Sequence, residues 1–162
     1  MNRREFRTLW AETLDSPEQT VEMYGLLANK VVDVYKSGDK NFAQHVKDRF
    51  GRVAKTTGQT FDAENFDLAG ARAFIADEIG FTSWDELTRF IEHPKENRYP
   101  ILFRYAIAAM WRGDFTAFEQ TIGGGDAFDD RVIEWYENGY FDDEQETLAE
   151  VFAAACMLGH DR

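Results

Sequence analysis

The side chains able to carry out chemistry are few and scattered along this chain. Its three histidines, His45, His93 and His160, lie far apart, and no HExxH or similar short-range zinc spacing links them. No metal site is expected from them. His160 stands near a helix C-terminus, where a cation complements the dipole. Cys156, flanked by Ala155 and Met157, reads as a buried, inert thiol with His160 as its one basic neighbour. The clusters Asp126-x-x-Asp129-Asp130 and Asp142-Asp143-Glu144 lack the alternating ligands and central glycine of a calcium loop. Helix capping accounts for them more simply. Gly123-Gly124-Gly125 is followed by Asp126 rather than by a GK[ST] ending, and its acidic surroundings oppose phosphate. Asp114 and Glu119 offer two carboxylates, but they share one short helix and read as surface residues. A helical pocket drawing on His45, Tyr105 and Glu119 is the enzymatic reading that survives, and no sequence pattern favours it. No cofactor is expected.

Charge is more informative. The chain has 30 Asp and Glu against 18 Lys and Arg, a net charge of −12. Residues 113–150 hold twelve of those acids and a single Arg, so nearly the whole excess falls in one quarter of the chain. Such a field attracts basic partners and repels nucleic acid. Aromatic residues interleave with the acids there. Trp135, Tyr136, Tyr140, Phe141, Asp142, Asp143 and Glu144 are therefore the candidate partner-binding residues, the rings for burial and the carboxylates for steering. Two other readings compete. The acidic face is merely solvated, or its rings pack inward, which suits Trp135 and Tyr136 at least as well.

The elements that must position these residues are helical. Phe6, Leu9 and Trp10 mark a first helix over 4–14. Ser16-Pro17-Glu18-Gln19 reads as the start of a second, with Ser16 as N-cap, running to Ser37-Gly38. Asp39 caps a third, 40–50. Residues 51–66 are expected to be a loop and the best internal boundary. The clearest stretch is 67–92. Leu68, Ala71, Phe74, Ile75 and Ile79 recur at helical spacing, Gly80 stops that helix, and Ser83-x-x-Glu86 starts the next as a capping box. From Pro100 an apolar helix runs through Ile101, Leu102, Tyr105, Ala108, Ala109 and Trp111, and is expected to be central. Gly113 ends it, Asp114 caps a helix over 115–122, a short helix follows at 129–137, and Asp142 and Asp143 cap a final helix to Leu158. The expected fold is all-α, a multi-helix domain of helical hairpins. It has an N-terminal helical segment over 1–55 and a second part over 67–162, together one compact domain. With one cysteine, no signal-peptide pattern and no apolar run of membrane length, a cytoplasmic location is expected, with no membrane contact.

Two segments resemble ankyrin helix pairs. Ala108-Ala109-Met110-Trp111-Arg112-Gly113-Asp114 followed by FTAFEQTI is similar to the Ala-rich first helix, Gly turn and second helix of that family. Ala153-Ala154-Ala155-Cys156-Met157-Leu158-Gly159-His160 resembles the same first helix and turn. The wording ARAFIADEIGFTSWDELTRFI at 71–91 resembles a segment of bacterial proteins that place it ahead of ankyrin repeats. The Thr-Pro-Leu-His start of the repeat is absent, and the turns at Gly113 and Gly159 are 46 residues apart, against about 33 in a regular array. On this pattern the second helix of the last pair would begin at Arg162, which reads as a truncated or decayed array. The resemblance implies a non-enzymatic protein-interaction domain with C-terminal ankyrin-like helices. Its expected partner is a basic protein, with a homo-oligomer as a further possibility because a half repeat leaves a helix without its packing mate. The competing function is an acidic inhibitor whose carboxylates stand in for the phosphates of nucleic acid.

Overall fold

The computed structural model describes residues 3–57, 65–97, 99–122, 126–142 and 145–158. Among these residues it is all-helical, with nine α-helices, one 3-10 turn and no strand. The helices are α1 (Arg3–Leu14), α2 (Val21–Lys36), α3 (Lys40–Thr57), α4 (Leu68–Ile79), α5 (Trp84–Glu92), α6 (Ile101–Trp111), α7 (Phe115–Ile122), α8 (Asp126–Glu137) and α9 (Gln145–Leu158). The chain divides into two compact units. Unit 1 is Met1–Asp77 with Phe81–Pro94, and unit 2 is Glu78–Gly80 with Lys95–Arg162. The division falls at the end of α4 and at the linker after α5, not within residues 51–66.

Local chemistry explains most of the helix ends. In α4, α6 and α8 the residue after the glycine reaches back five residues with its N–H. The bonds are Phe81 to the Ala76 carbonyl, Asp114 to Ala109 and Tyr140 to Trp135, at 2.8–3.0 Å. Gly80, Gly113 and Gly139 adopt φ of +92°, +73° and +70°, the left-handed geometry that closes such a turn. Asp39 accepts the N–H groups of Asn41 and Phe42, and Asp114 that of Ala117, each at 3.0 Å. Ser83 accepts the Glu86 N–H at 3.2 Å, while Glu86 accepts from the Thr82 N–H and hydroxyl at 2.8 and 2.7 Å. The capping box thus closes on Thr82, one residue earlier than its usual reciprocal bond.

Three boundaries differ from the sequence reading. The N-cap of α2 is Thr20, whose hydroxyl accepts the Met23 N–H at 3.2 Å. Ser16 instead donates to the Glu18 carbonyl, and Gln19 is not a capping-box member. The Gln19 amide donates to the Thr13 carbonyl at 3.1 Å, and its oxygen accepts from the Tyr24 hydroxyl at 2.6 Å. The connection is pinned to the core side of α2 before that helix begins. Helix α3 continues to Thr57, through the first part of the expected loop. Its preceding turn is anchored by Phe50 and Arg49, which outweighs the weak propensity of Gly51. Helix α8 starts at Asp126, three residues before the expected Asp129. Helix α9 starts at Gln145 and runs to Leu158, the expected end; Asp143, one of its two expected caps, lies outside the described residues.

Unit 1 packs α2 against α1, α3 and α5. Tyr24, Leu27, Ala28, Val31 and Val34 form the buried face of α2. Rings gather where α3 meets α4. Phe74 takes the edges of Phe42 and His45, and Phe66 lies against Tyr35 and Phe50. Arg49 is buried, pairs with the Asp77 carboxylate and donates to the Asp77 carbonyl at 2.8 Å.

Unit 2 packs α6 against α7 and α9, and α7 against α8 and α9. Phe103 is its hub, with ring centroids of Trp135, Phe141 and Tyr140 at 5.0, 5.4 and 5.5 Å. Ala106, Ala109, Met110, Phe118 and Val151 complete the core. Arg112 donates to the Glu78 carbonyl at 2.9 Å and pairs with its buried carboxylate at 3.4 Å. Arg104 donates to the Gly80 carbonyl at 3.1 Å. Gly80 has a second reason to be glycine, because a Cβ there would meet the Ala108 methyl at 2.9 Å. Helix α6 is buried along Ile101, Phe103, Tyr105, Ala106, Ala109 and Met110, but Trp111 faces outward, 55 % exposed, against the expectation that it packs inward.

Candidate interaction surface

The acidic quarter of the chain is carried by unit 2. Among the described side chains of α8, five stand outward, Asp130, Ile133, Glu134, Tyr136 and Glu137. Ile133 is 54 % exposed and Tyr136 62 %. At about 100° per residue they fill an arc of about 160°. Around that arc they run in the order Tyr136, Ile133, Glu137, Asp130 and Glu134. Trp135 points the opposite way into the core, with Val132 partly buried against it, and Arg131, the helix's one base, is half-buried. Among the described side chains the outward face therefore carries two apolar residues and three carboxylates, with no base exposed.

The sequence-derived candidates separate on this geometry. Trp135 and Phe141, each 2 % exposed, belong to the ring cluster around Phe103 and offer a partner nothing. Tyr140 is half-buried, edge-on to both Tyr99 and Phe103. Tyr136 and Asp142 are exposed. Asp143 and Glu144 lie outside the described residues. Asp130, Ile133, Glu134 and Glu137 were not singled out by the sequence. Their i, i+3, i+4, i+7 spacing places them on one helix face and was the available signal.

The residues weighed for catalysis are dispersed. His45 lies edge-on to Phe74 in unit 1, with ring centroids 5.7 Å apart, and His93 is exposed after α5. Tyr105 is buried in unit 2, where Glu119 and Asp114 are half-buried and Asp114 caps α7. Cys156 sits in α9, and His160 and Gly123–Gly125 fall outside the described residues. Asp126 and Asp129 fall in the first turn of α8, where carboxylates favour the positive helix end. Among the described residues, no three His, Cys, Asp or Glu side chains gather in a way that could hold a metal ion. Among them also, no helix is long and apolar enough to cross a membrane. Comparison with known protein families, characterised proteins and solved structures finds no match to this chain.

Proposed function

We propose that this chain is a non-enzymatic protein-interaction module whose acidic helical surface receives a basic protein partner. One observation carries the reading: the outward face of α8 combines three carboxylates with two large exposed apolar side chains. Buried charge is costly, so a partner meeting this face must answer the carboxylates as well as cover the apolar pair. Long-range attraction would bring a basic surface to it, and Ile133 and Tyr136 would supply the area that holds it.

A kinship with ankyrin-type helix pairs, a bacterial setting and a cytoplasmic location belong to the same proposal. Their support is the wording of 71–91 and 108–122, the buried small residues Ala106 and Ala109, the turn at Gly113 and the single cysteine.

The test is affinity capture on the immobilised full chain from a cell extract, at low and high salt, beside the double variant Glu134→Lys/Glu137→Lys. A basic protein held at low salt, released at high salt and lost by the variant is the expected result. Capture indifferent to both salt and charge reversal, or none at all, contradicts the reading. Release of the captured protein by duplex DNA would point instead to an inhibitor that mimics nucleic acid.

A further inference from the structure

The turn that ends α8 holds a pair of residues whose chemistry the interaction reading does not use. Of the six asparagines in the chain, Asn138 alone precedes a glycine; the others precede Arg, Lys or Phe. A glycine on that side leaves the asparagine carbonyl unshielded, because no Cβ stands in the path of the following main-chain nitrogen. The reaction open to such a pair is ring closure. The Gly139 nitrogen attacks the Asn138 side-chain carbonyl carbon and gives up its proton to solvent. The new N–C bond closes a five-membered succinimide, and the side-chain nitrogen leaves as ammonia, taking a proton from water. Water then opens the ring at either carbonyl, to aspartate or to isoaspartate. The sequence of steps is neither an oxidation nor a reduction, and water is its only co-reactant.

The fold holds both reacting groups away from this course. The Asn138 amide nitrogen donates to the Glu134 carbonyl at 2.8 Å, and the Gly139 N–H donates to the Tyr136 carbonyl at 2.9 Å. The Asn138 N–H also reaches the Glu134 carbonyl, at 3.0 Å, so the residue continues the helical turn. Ring closure requires these bonds to break and the Asn138 backbone to leave that turn. Asn138 is exposed, so solvent reaches it once they do. We infer that Asn138 and Gly139 form a self-modification site gated by the end of α8: ammonia loss follows opening of the turn and makes that opening permanent. Isoaspartate routes the main chain through the side chain, which lengthens it by one carbon. The Tyr140 N–H then loses its register with the Trp135 carbonyl, which it reaches at 3.0 Å across Gly139. Tyr140 and Phe141, which pack on Phe103, lie just beyond. Either product also adds a carboxylate at the C-terminal end of α8, where the helix dipole opposes it. The Asp142 carboxylate already lies against Gly139, 2.6 Å from where a Cβ would stand.

The experiment follows the full chain in mildly alkaline buffer, folded and in urea, by peptide mass spectrometry with an enzymatic assay for isoaspartate. In urea the peptide that holds Asn138 is expected to gain about 1 Da well ahead of those holding the other asparagines. In the folded chain the same change should run about tenfold more slowly or slower still, since only the opened fraction reacts. Asn138→Gln, whose ring would need six members, should lose the reaction in both conditions. Equal rates in the folded chain and in urea overturn the gating. No preference for Asn138 in urea overturns the site. The isoaspartyl form, separated by ion exchange and returned to native buffer, should exchange its Tyr140 amide about tenfold faster than the parent. Parent-like protection of that amide overturns the claim that the opening becomes permanent. Asn138→Asp adds the charge without lengthening the chain and should keep most of the Tyr140 protection. An equal loss in Asn138→Asp assigns the effect to charge and overturns the lengthened-chain step.

Discussion

Helices α2 in unit 1 and α8 in unit 2 both leave a large apolar residue in water, and their settings differ. On α2, Leu26 is 58 % exposed among Glu22, Asn29, Lys30 and Asp33, and Lys30 pairs with Asp33 at 3.8 Å. Both signs of charge are present and partly neutralise one another. On α8, two apolar residues stand beside three carboxylates, and the one base is half-buried. The units follow the same contrast. Unit 1 has twelve Lys and Arg against fifteen Asp and Glu, whereas unit 2 has six against fifteen. A lone exposed leucine is ordinary for a soluble surface. The apolar pair on α8 lies in a field of one sign, which is the difference on which the proposed interaction surface rests.

The same contrast extends inside. Unit 1 spreads its rings over Phe66 and Phe74, each meeting two or more partners, while unit 2 converges on Phe103. Phe103→Ala is therefore the most damaging change expected, costing about 4 kcal/mol through the cavity it leaves. Denaturant unfolding measures the loss, and hydrogen exchange should place it in α6, α8 and α9. A cost under about 1 kcal/mol would break the idea of a single hub.

Next comes Arg112→Ala, at about 3 kcal/mol, because it removes an ion-pair partner of the buried Glu78 carboxylate. Glu78→Gln with Arg112→Ala should recover part of that loss, since the buried charge is then gone. No recovery would show that the arginine acts through its bond to the Glu78 carbonyl instead.

Smaller still is the start of α2. Thr20→Ala should cost about 1 kcal/mol and Ser16→Ala less than half of that, because Thr20 provides the cap. The reverse order would restore Ser16 as N-cap.

The gentlest effect is confined to alkali. Burial pushes the Tyr24 phenol up from its ordinary value of about 10. The folded chain then keeps a proton that the unfolded chain has lost. Stability from this residue is complete below about pH 10 and declines as pH rises above it. Tyr24→Phe should flatten that decline, at a cost of about 1 kcal/mol near neutrality from the lost bond to Gln19. An unchanged alkaline limb in the variant would assign the decline to other groups.

Helix number and type were legible because the punctuation is local. Gly80, Gly113, Gly139, Asp39, Asp114 and Ser83 act on neighbours within five residues. What lay hidden depends on distance along the chain. Arg49 and Arg112 look like ordinary surface bases until Asp77 and Glu78 reach them from 28 and 34 residues away. The true cap at Thr20 was obscured by Ser16-Pro17, a pattern of equal local merit, because Gln19 is drawn to Tyr24 and the carbonyls of α1. The candidate surface was half visible. The acidic quarter was read correctly as charge, but its four aromatics were taken together. Trp135 and Tyr136 are adjacent in sequence, about 100° apart on the helix, and face opposite environments. Phe141 turns inward after Gly139, and Ile133, in the middle of the exposed arc, carries no charge to draw attention.

The central claim is that α8 of unit 2 is the face this chain presents to a basic partner. Its most direct test is a nuclear magnetic resonance titration of the isotope-labelled full chain with a Lys- and Arg-rich peptide. The account predicts shifts concentrated on Asp130–Glu137, weakened by salt and lost in Ile133→Ala/Tyr136→Ala. Shifts centred on α2 around Leu26, or spread evenly over both units, would contradict it.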